Sequence, residues 1–398
     1  PPTGTARLVS AAAGLIGAGR CRDLVPTVAR GFDSAVEAML SSQGAPGRLP
    51  GADFYMKELA WAYRHLQPYV PEAQRSHWQQ SLSQCTPEGN YTDLIKPGKS
   101  TVHNFNVYAL TGEFLRASYG LGDMEASTRF VDEYLPHQFG YFTSYGMYRD
   151  PTDPITYDLT VRQNLSLLLE AGYAGPFRGD VDELLRRGAL TMLLYVCPNG
   201  QAPYGGRSNQ HHHMEGMITC ISEWEARRYA AMGRADLAGA FKRLARQSVA
   251  STVRWWHESP FKDLKNSFDP VTHHGREQYG EYSVYALLAT SLFGVAYHLS
   301  DETIVERPMP AEIGGYVLEL PNAFHKVFAT SGGYHVEIDT GADLSYDATG
   351  LGRLVRKDFP AELGLSMPLC GTPRYTVVPV DGYHAAIGPV WKSADGKW

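Results

Sequence analysis

The sequence predicts a mainly α protein, an (α/α) toroid of about five to six helical hairpins followed by an antiparallel β domain. Apolar residues recur at spacings of three and four through residues 6–299. Alternate helices start near residues 52, 102, 154 and 208, so the chain repeats at intervals of 50, 52 and 54 residues, the length of one hairpin with its connections. Beyond about residue 303 the texture changes to short β-branched or aromatic segments bounded by Gly, Pro, Asn and Asp. The domain limits expected from this change are 1–302 for the toroid and 303–398 for the β domain.

The spacing predicts helices over 6–17, 22–42, 52–67, 71–84, 102–119, 122–136, 154–172, 179–196, 208–232, 234–257 and 280–299. Asp153 followed by Pro154 reads as a cap with proline at the first helical position, Gly233 as a stop, and Ser208 as the next cap. Connections are short within hairpins (68–70, 120–121, 173–178, 233) and long between them (85–101, 137–153, 197–207, 258–279). In a closed ring the long connections gather at one end, which is where a site is built. The segments "GGYVLELP", "HKVFAT" and "YHVEIDTG" read as strands. "DLSYDATGLGRLVRK" is rich in turn residues and reads as a basic loop carrying Arg353 and Arg356. Residues 303–398 are too few for a large multilayer sandwich, so a reduced or partial sheet is expected.

Composition excludes several classes of function. With 36 basic against 42 acidic residues and no Lys/Arg run interleaved with aromatics, a nucleic-acid footprint is absent. No stretch reaches the roughly 18 apolar residues of a membrane span. Pro1-Pro2-Thr3-Gly4 has neither a charged nor an apolar leader region, and the expectation is a secreted or periplasmic protein whose signal peptide lies outside this numbering. Five cysteines without a CxxC pair argue against a zinc ribbon or a disulfide scaffold. Tyrosine, at 24 residues, is abundant, and its flat apolar face and polar tip suit stacking on sugar rings, although an ordinary aromatic core has the same composition. Oligomeric state is left open.

The stretch "SNQHHHME" carries the first candidate cluster. With Ser208 as cap, His211 takes the third helical position and Glu215 lies one turn on, so the two share a face that continues the inward stripe of Met214, Ile218 and Ile221. A packed core histidine is the alternative. The second cluster, Asn266 to Tyr285, offers His273, His274, Arg276, Glu277, Tyr279, Glu281 and Tyr282, with residues 279, 282 and 285 on one helical face. Asn104, Asn106, Tyr148, Arg149, Asp150, Tyr157 and Asp158 recur at the same ends of earlier hairpins, where caps and local ion pairs are the plainer reading. Consecutive histidines splay by about 100° on a helix and no HExxH occurs, so no metal and no cofactor is expected. There is no GxSxG nucleophile motif, and the glycine turns do not follow a strand as a phosphate loop would.

In this arrangement the sequence resembles the heparinase II/III-like and alginate-lyase-like polysaccharide lyases, in which an (α/α) toroid precedes an antiparallel β domain, an Asn/His motif lies on a toroid helix and a Tyr follows later. The resemblance implies that His211 or His212 removes the C5 proton of a uronic acid, that Tyr279 protonates the leaving oxygen, and that Asn209, with Arg207, neutralises the carboxylate. Gln210, His212, Asn104, Tyr148, Arg149, Tyr157, His274, Tyr282 and Arg353 are expected to bind the acidic polysaccharide or oligosaccharide. The toroid also resembles glucuronidase-like glycoside hydrolases, which need two carboxyls across the sugar. Glu215 and Glu277 would supply them, with Asp150 or Asp158 as substitutes. A non-catalytic glycan-binding protein is the third reading, and it predicts aromatics without an acid and base.

Overall fold

A computed structural model describes residues 2–41, 52–91, 104–208, 211–256, 277, 283–359, 362–364 and 370–374. In chain order the helices are α1 (Pro2–Gly17), α2 (Val25–Ser41), α3 (Ala52–Leu66), α4 (Glu72–Ser83), α5 (Pro87–Asn90), α6 (Asn104–Ser118), α7 (Met124–Tyr134), α8 (Ile155–Glu170), α9 (Arg178–Tyr195), α10 (His213–Ala231), α11 (Ala235–Trp256), α12 (Ser283–Leu299) and α13 (Pro310–Ile313). The strands are β1 (Tyr316–Leu320), β2 (Lys326–Ser331), β3 (Tyr334–Asp339), β4 (Gly350–Arg356) and β5 (Glu362–Gly364). The expected order of helical hairpins and then an antiparallel sheet is present. Most helix limits fall within a few residues of those the apolar spacing predicts; α2 buries a single stripe, whereas α6 and α10 are buried on nearly every side. Asp153 is not the helix cap expected of it: it lies in the left-handed region at φ 48°, and α8 starts beyond Pro154.

The described chain divides into two compact units. The first comprises residues 1–151, 157–189 and 283–300, and the second 152–156, 190–282 and 301–398. In the first unit α1 packs against α2, α3 and α12, and α3 packs against α6, so the last helix of the helical region returns to the first. Ser291 on α12 makes 2.8 Å hydrogen bonds with both Ser10 on α1 and Glu58 on α3. Within α8 a fully buried Asp158 receives the Arg162 guanidinium, with Nε at 3.0 Å. Gly188 on α9 meets Gly146 so closely that a Cβ there would stand 2.4 Å from the Gly146 carbonyl oxygen.

In the second unit α10 and α11 form a hairpin turned at Gly233, whose φ of 72° favours glycine. Tyr229 and Phe241 stack across it at 5.5 Å, and a buried Lys242 meets Glu223 at 2.9 Å. The sheet is an antiparallel meander in the order β1 to β5. Its inner face is the charged one. Lys326, Phe328 and Thr330 of β2 and His335, Glu337 and Asp339 of β3 are buried, while Val327, Ala329, Val336 and Ile338 on the other face are only half-buried. Buried charges need partners, and the register provides them: Lys326 lies opposite Asp339, and Glu337 opposite Arg353.

The segment expected to be a basic loop is a strand, β4, and Arg353 within it is buried. The glycines that read as a turn instead make a bulge. Ile338 pairs with Leu351 but Glu337 pairs with Arg353, which leaves Gly352 as the extra residue. A Cβ on Gly352 would press on the Glu337 carbonyl at 3.4 Å, so glycine suits the close approach.

Candidate active site

The connection from α9 to α10 is bound by four carboxylates drawn from separate parts of the second unit. The Ala202 amide donates to Glu215 Oε1 of α10 at 2.8 Å, and the Tyr204 amide to Glu337 Oε2 of β3 at 2.7 Å. The Gly206 amide donates to Asp347 Oδ2, between β3 and β4, at 2.7 Å, and the Ser208 amide to Glu277 Oε1 at 2.8 Å. Every second amide of the loop thus donates to a carboxyl oxygen, which when ionised is the stronger class of acceptor. Gly205 and Gly206, at φ 95° and 80°, make the turn that brings these amides round.

Beneath the loop the charges are matched. Arg353 Nε lies 3.1 Å from Glu337 Oε1, while Nη1 donates to Gln201 Oε1 at 2.7 Å and Nη2 to the Ala202 carbonyl at 2.8 Å. His335 Nδ1 is 2.8 Å from the Thr330 hydroxyl, and its Nε2 stands 3.6 Å from Glu337. Burial alone would raise the Glu337 carboxyl, but Arg353, His335 and the Tyr204 amide outweigh it and hold Glu337 at about 2. Lys326 forms an ion pair with Asp339 and stands 3.4 Å from Asp347. Burial opposes its charge, yet the two aspartates raise the Lys326 pKa above its ordinary value. Asp347 goes the other way for a carboxylate, since burial and the neighbouring Asp339 push it up to about 7 against the pull of Lys326 and the Gly206 amide.

The histidine run lies at the end of this loop. His211, His212 and His213 are all buried, and the rings of His211 and His213 stack with centroids 5.0 Å apart. The helix begins at His213, five residues later than expected, and Ser208 is not its cap. Ser208 is in the left-handed region at φ 64°, its amide is bound by Glu277, and its carbonyl accepts from Thr156 at 3.2 Å. The first helical hydrogen bonds run from Met214 and Gly216 to the carbonyls of His211 and His212. His211 therefore precedes the helix, and the shared helical face expected for His211 and Glu215 does not exist. Glu215, in the first turn, directs Oε1 to the loop.

The second unit thus contains Arg207, His211, His212, Glu215, Glu277 and Arg353, of which only Arg207 is half-exposed. Asn104, Tyr148, Arg149 and Tyr157 belong to the first unit. There the amide and side chain of Asn104 both donate to Asp150, at 3.0 and 3.2 Å. The Tyr148 amide is held by Asp158 and its hydroxyl donates to Gln138 at 2.6 Å; Tyr157 is buried and Arg149 exposed. Asn209, Gln210, His274, Tyr279 and Tyr282 lie outside the described residues. Lys326, His335, Glu337, Asp339 and Asp347 were not singled out from the sequence. For three of them the signal is the strict alternation His335, Glu337, Asp339 along one face of a strand; Lys326 and Asp347 lie outside it.

No family profile matches the chain, and no curated protein does. Among solved structures the chain is similar to a polysaccharide lyase, at 10% identity and a TM-score of 0.47, over 74% of this chain and 89% of that one.

Proposed function

We propose that the chain is a carbohydrate-active enzyme, a lyase that cleaves a uronic-acid-containing polysaccharide or oligosaccharide by β-elimination. The observation that carries this reading is the buried run His211–His213 at the end of a loop fixed by carboxylates, with Arg207 on that loop. Glu277, which binds the loop's Ser208 amide, precedes Tyr279 by two residues in the sequence.

In the proposed reaction His211, or His212 beside it, takes the C5 proton. The C5–H electron pair becomes the C4–C5 double bond, the C4–O bond breaks, and Tyr279 gives its proton to the departing oxygen. Charge builds on the uronate carboxylate as the proton leaves, and Arg207 with Asn209 meets it. Gln210, His274 and Tyr282 complete the proposed glycan contacts. Arg353 leaves this set, because its donors go to Glu337, Gln201 and Ala202. The proposed setting is secreted or periplasmic, where such glycans are met.

Incubation with a panel of uronate glycans, following both new reducing ends and the ultraviolet absorbance of a 4,5-unsaturated uronate, tests the reading. Both signals should rise together. Reducing ends without the absorbance would reject elimination and favour a hydrolase using Glu215 and Glu277.

A further inference from the structure

We propose that Asp347 is a positioning residue: its ionised carboxylate latches the Gly205–Gly206 turn and so holds Arg207 for an anionic substrate, and its protonation releases that turn. The substrate clause rests on the uronate reading above; the latch itself does not.

The geometry is a three-sided clasp. Asp347 Oδ2 accepts the Gly206 amide at 2.7 Å and stands 3.4 Å from Lys326 Nζ. Gly205 is pressed against the same pair, since a Cβ there would lie 2.3 Å from Asp347 Oδ2 and 2.4 Å from Lys326 Nζ. Asp347 Oδ1 is buried without a hydrogen-bond partner among the described residues, which leaves one oxygen on which a proton can rest. The charged groups facing the carboxylate are Lys326 from β2 and Asp339 from β3, and the loop contributes the Gly206 amide. One lysine therefore serves two aspartates, and with both ionised the trio carries an excess negative charge.

Burial, reinforced by that excess, is why Asp347 titrates at about 7 rather than in the ordinary carboxylate range. Lys326 and Asp339 are the closer pair, so the proton goes to Asp347. Once protonated, Asp347 gives Gly206 a neutral acceptor in place of an anionic one, roughly half as strong. Arg207 is the next residue. Its charge acts on the phenol of Tyr346, the neighbour of Asp347, together with Glu277, Asp343 and Arg374, so the guanidinium and the latch lie in one neighbourhood. Ser208 is held separately by Glu277, which makes Gly206 the attachment nearest Arg207 on its N-terminal side.

Hydrogen exchange of the loop amides 202–208 in the full chain tests this, at about pH 6 and about pH 8, either side of the Asp347 transition. After correction for the chemical exchange rate, protection of Gly206 should fall about tenfold at the lower pH, where about a tenth of the carboxylate stays ionised. In Asp347→Asn the protection should be the same at both. Wild-type protection that does not change with pH, or a pH-dependence that survives in Asp347→Asn, overturns the latch. Should that variant not fold, the wild-type profile decides alone, because the latch requires the change at Gly206 and none in α10 or the β2–β3 ladder. On a uronate glycan, KM of the wild type should rise about fivefold between about pH 8 and about pH 6, and Asp347→Asn should show a flat, raised KM. Absence of any turnover would reject the lyase reading and leave the exchange result standing.

Discussion

Arg353 reaches Glu337 on the neighbouring strand and Gln201 and Ala202 on the loop, all from a buried position. Removing one partner of such a pair leaves the other charge uncompensated, which costs about 3–5 kcal/mol. Arg353→Ala should therefore lower the unfolding free energy by that amount in a denaturant titration; a loss below about 1 kcal/mol would place the pair with exposed ion pairs. Glu337 adds a pH signature. Its folded-state pKa, about 2, lies below the ordinary 4.5, so it contributes stability that is complete above the unfolded value and is lost as pH falls toward 2. Asp347 has the opposite sign: with a folded pKa near 7 against 3.8, its ionisation costs stability as pH rises between those values. Asp347→Asn should accordingly melt no lower than wild type at about pH 8, and a fall in Tm there of more than a few degrees would contradict the assignment. A buried carboxyl kept against its own stability is the kind of group found at functional sites.

Among the elements, the loop 201–208 and the sheet define one another. Gly205 tests this against Gly233, since both have positive φ but a Cβ at Gly205 would collide with Asp347 and Lys326, whereas Gly233 has nothing within 4 Å. Gly233→Ala should cost only the backbone penalty of about 1–2 kcal/mol. Gly205→Ala should cost distinctly more and loosen the Gly206 amide in hydrogen exchange. Equal melting temperatures for the two variants would show that the loop yields where the clasp requires it to hold. The helices were legible because apolar residues recur at helical spacing, and α2 is an example, burying Val28, Phe32, Ala35, Val36 and Met39 along one stripe. The start of α10 was not legible, because Ser208 is an excellent cap by residue type but is drawn into a left-handed conformation with its amide on Glu277. β4 was misread for a related reason: Gly352 serves a bulge while Gly350 pairs with Asp339 in the ladder, and no local rule separates that from a turn.

At the level of the whole molecule, the order of helical hairpins and antiparallel sheet follows from apolar periodicity and β-branched segments. Half of the candidate site follows from the histidine run. The other half, Lys326, Glu337, Asp339 and Asp347, was hidden because strand alternation normally sends charges outward, and here pairing across the register sends them inward. The proposed chemistry joins these buried charges to His211 through the loop they hold. The most direct test compares wild type, His211→Ala and His212→Ala on a uronate glycan, monitoring the unsaturated product. The wild type should turn over, and kcat should fall by at least about a hundredfold for whichever histidine is the base, general-base catalysis being worth that much, with each variant assayed below its own melting temperature. Unsaturated product formed at the wild-type rate by both folded variants would contradict it.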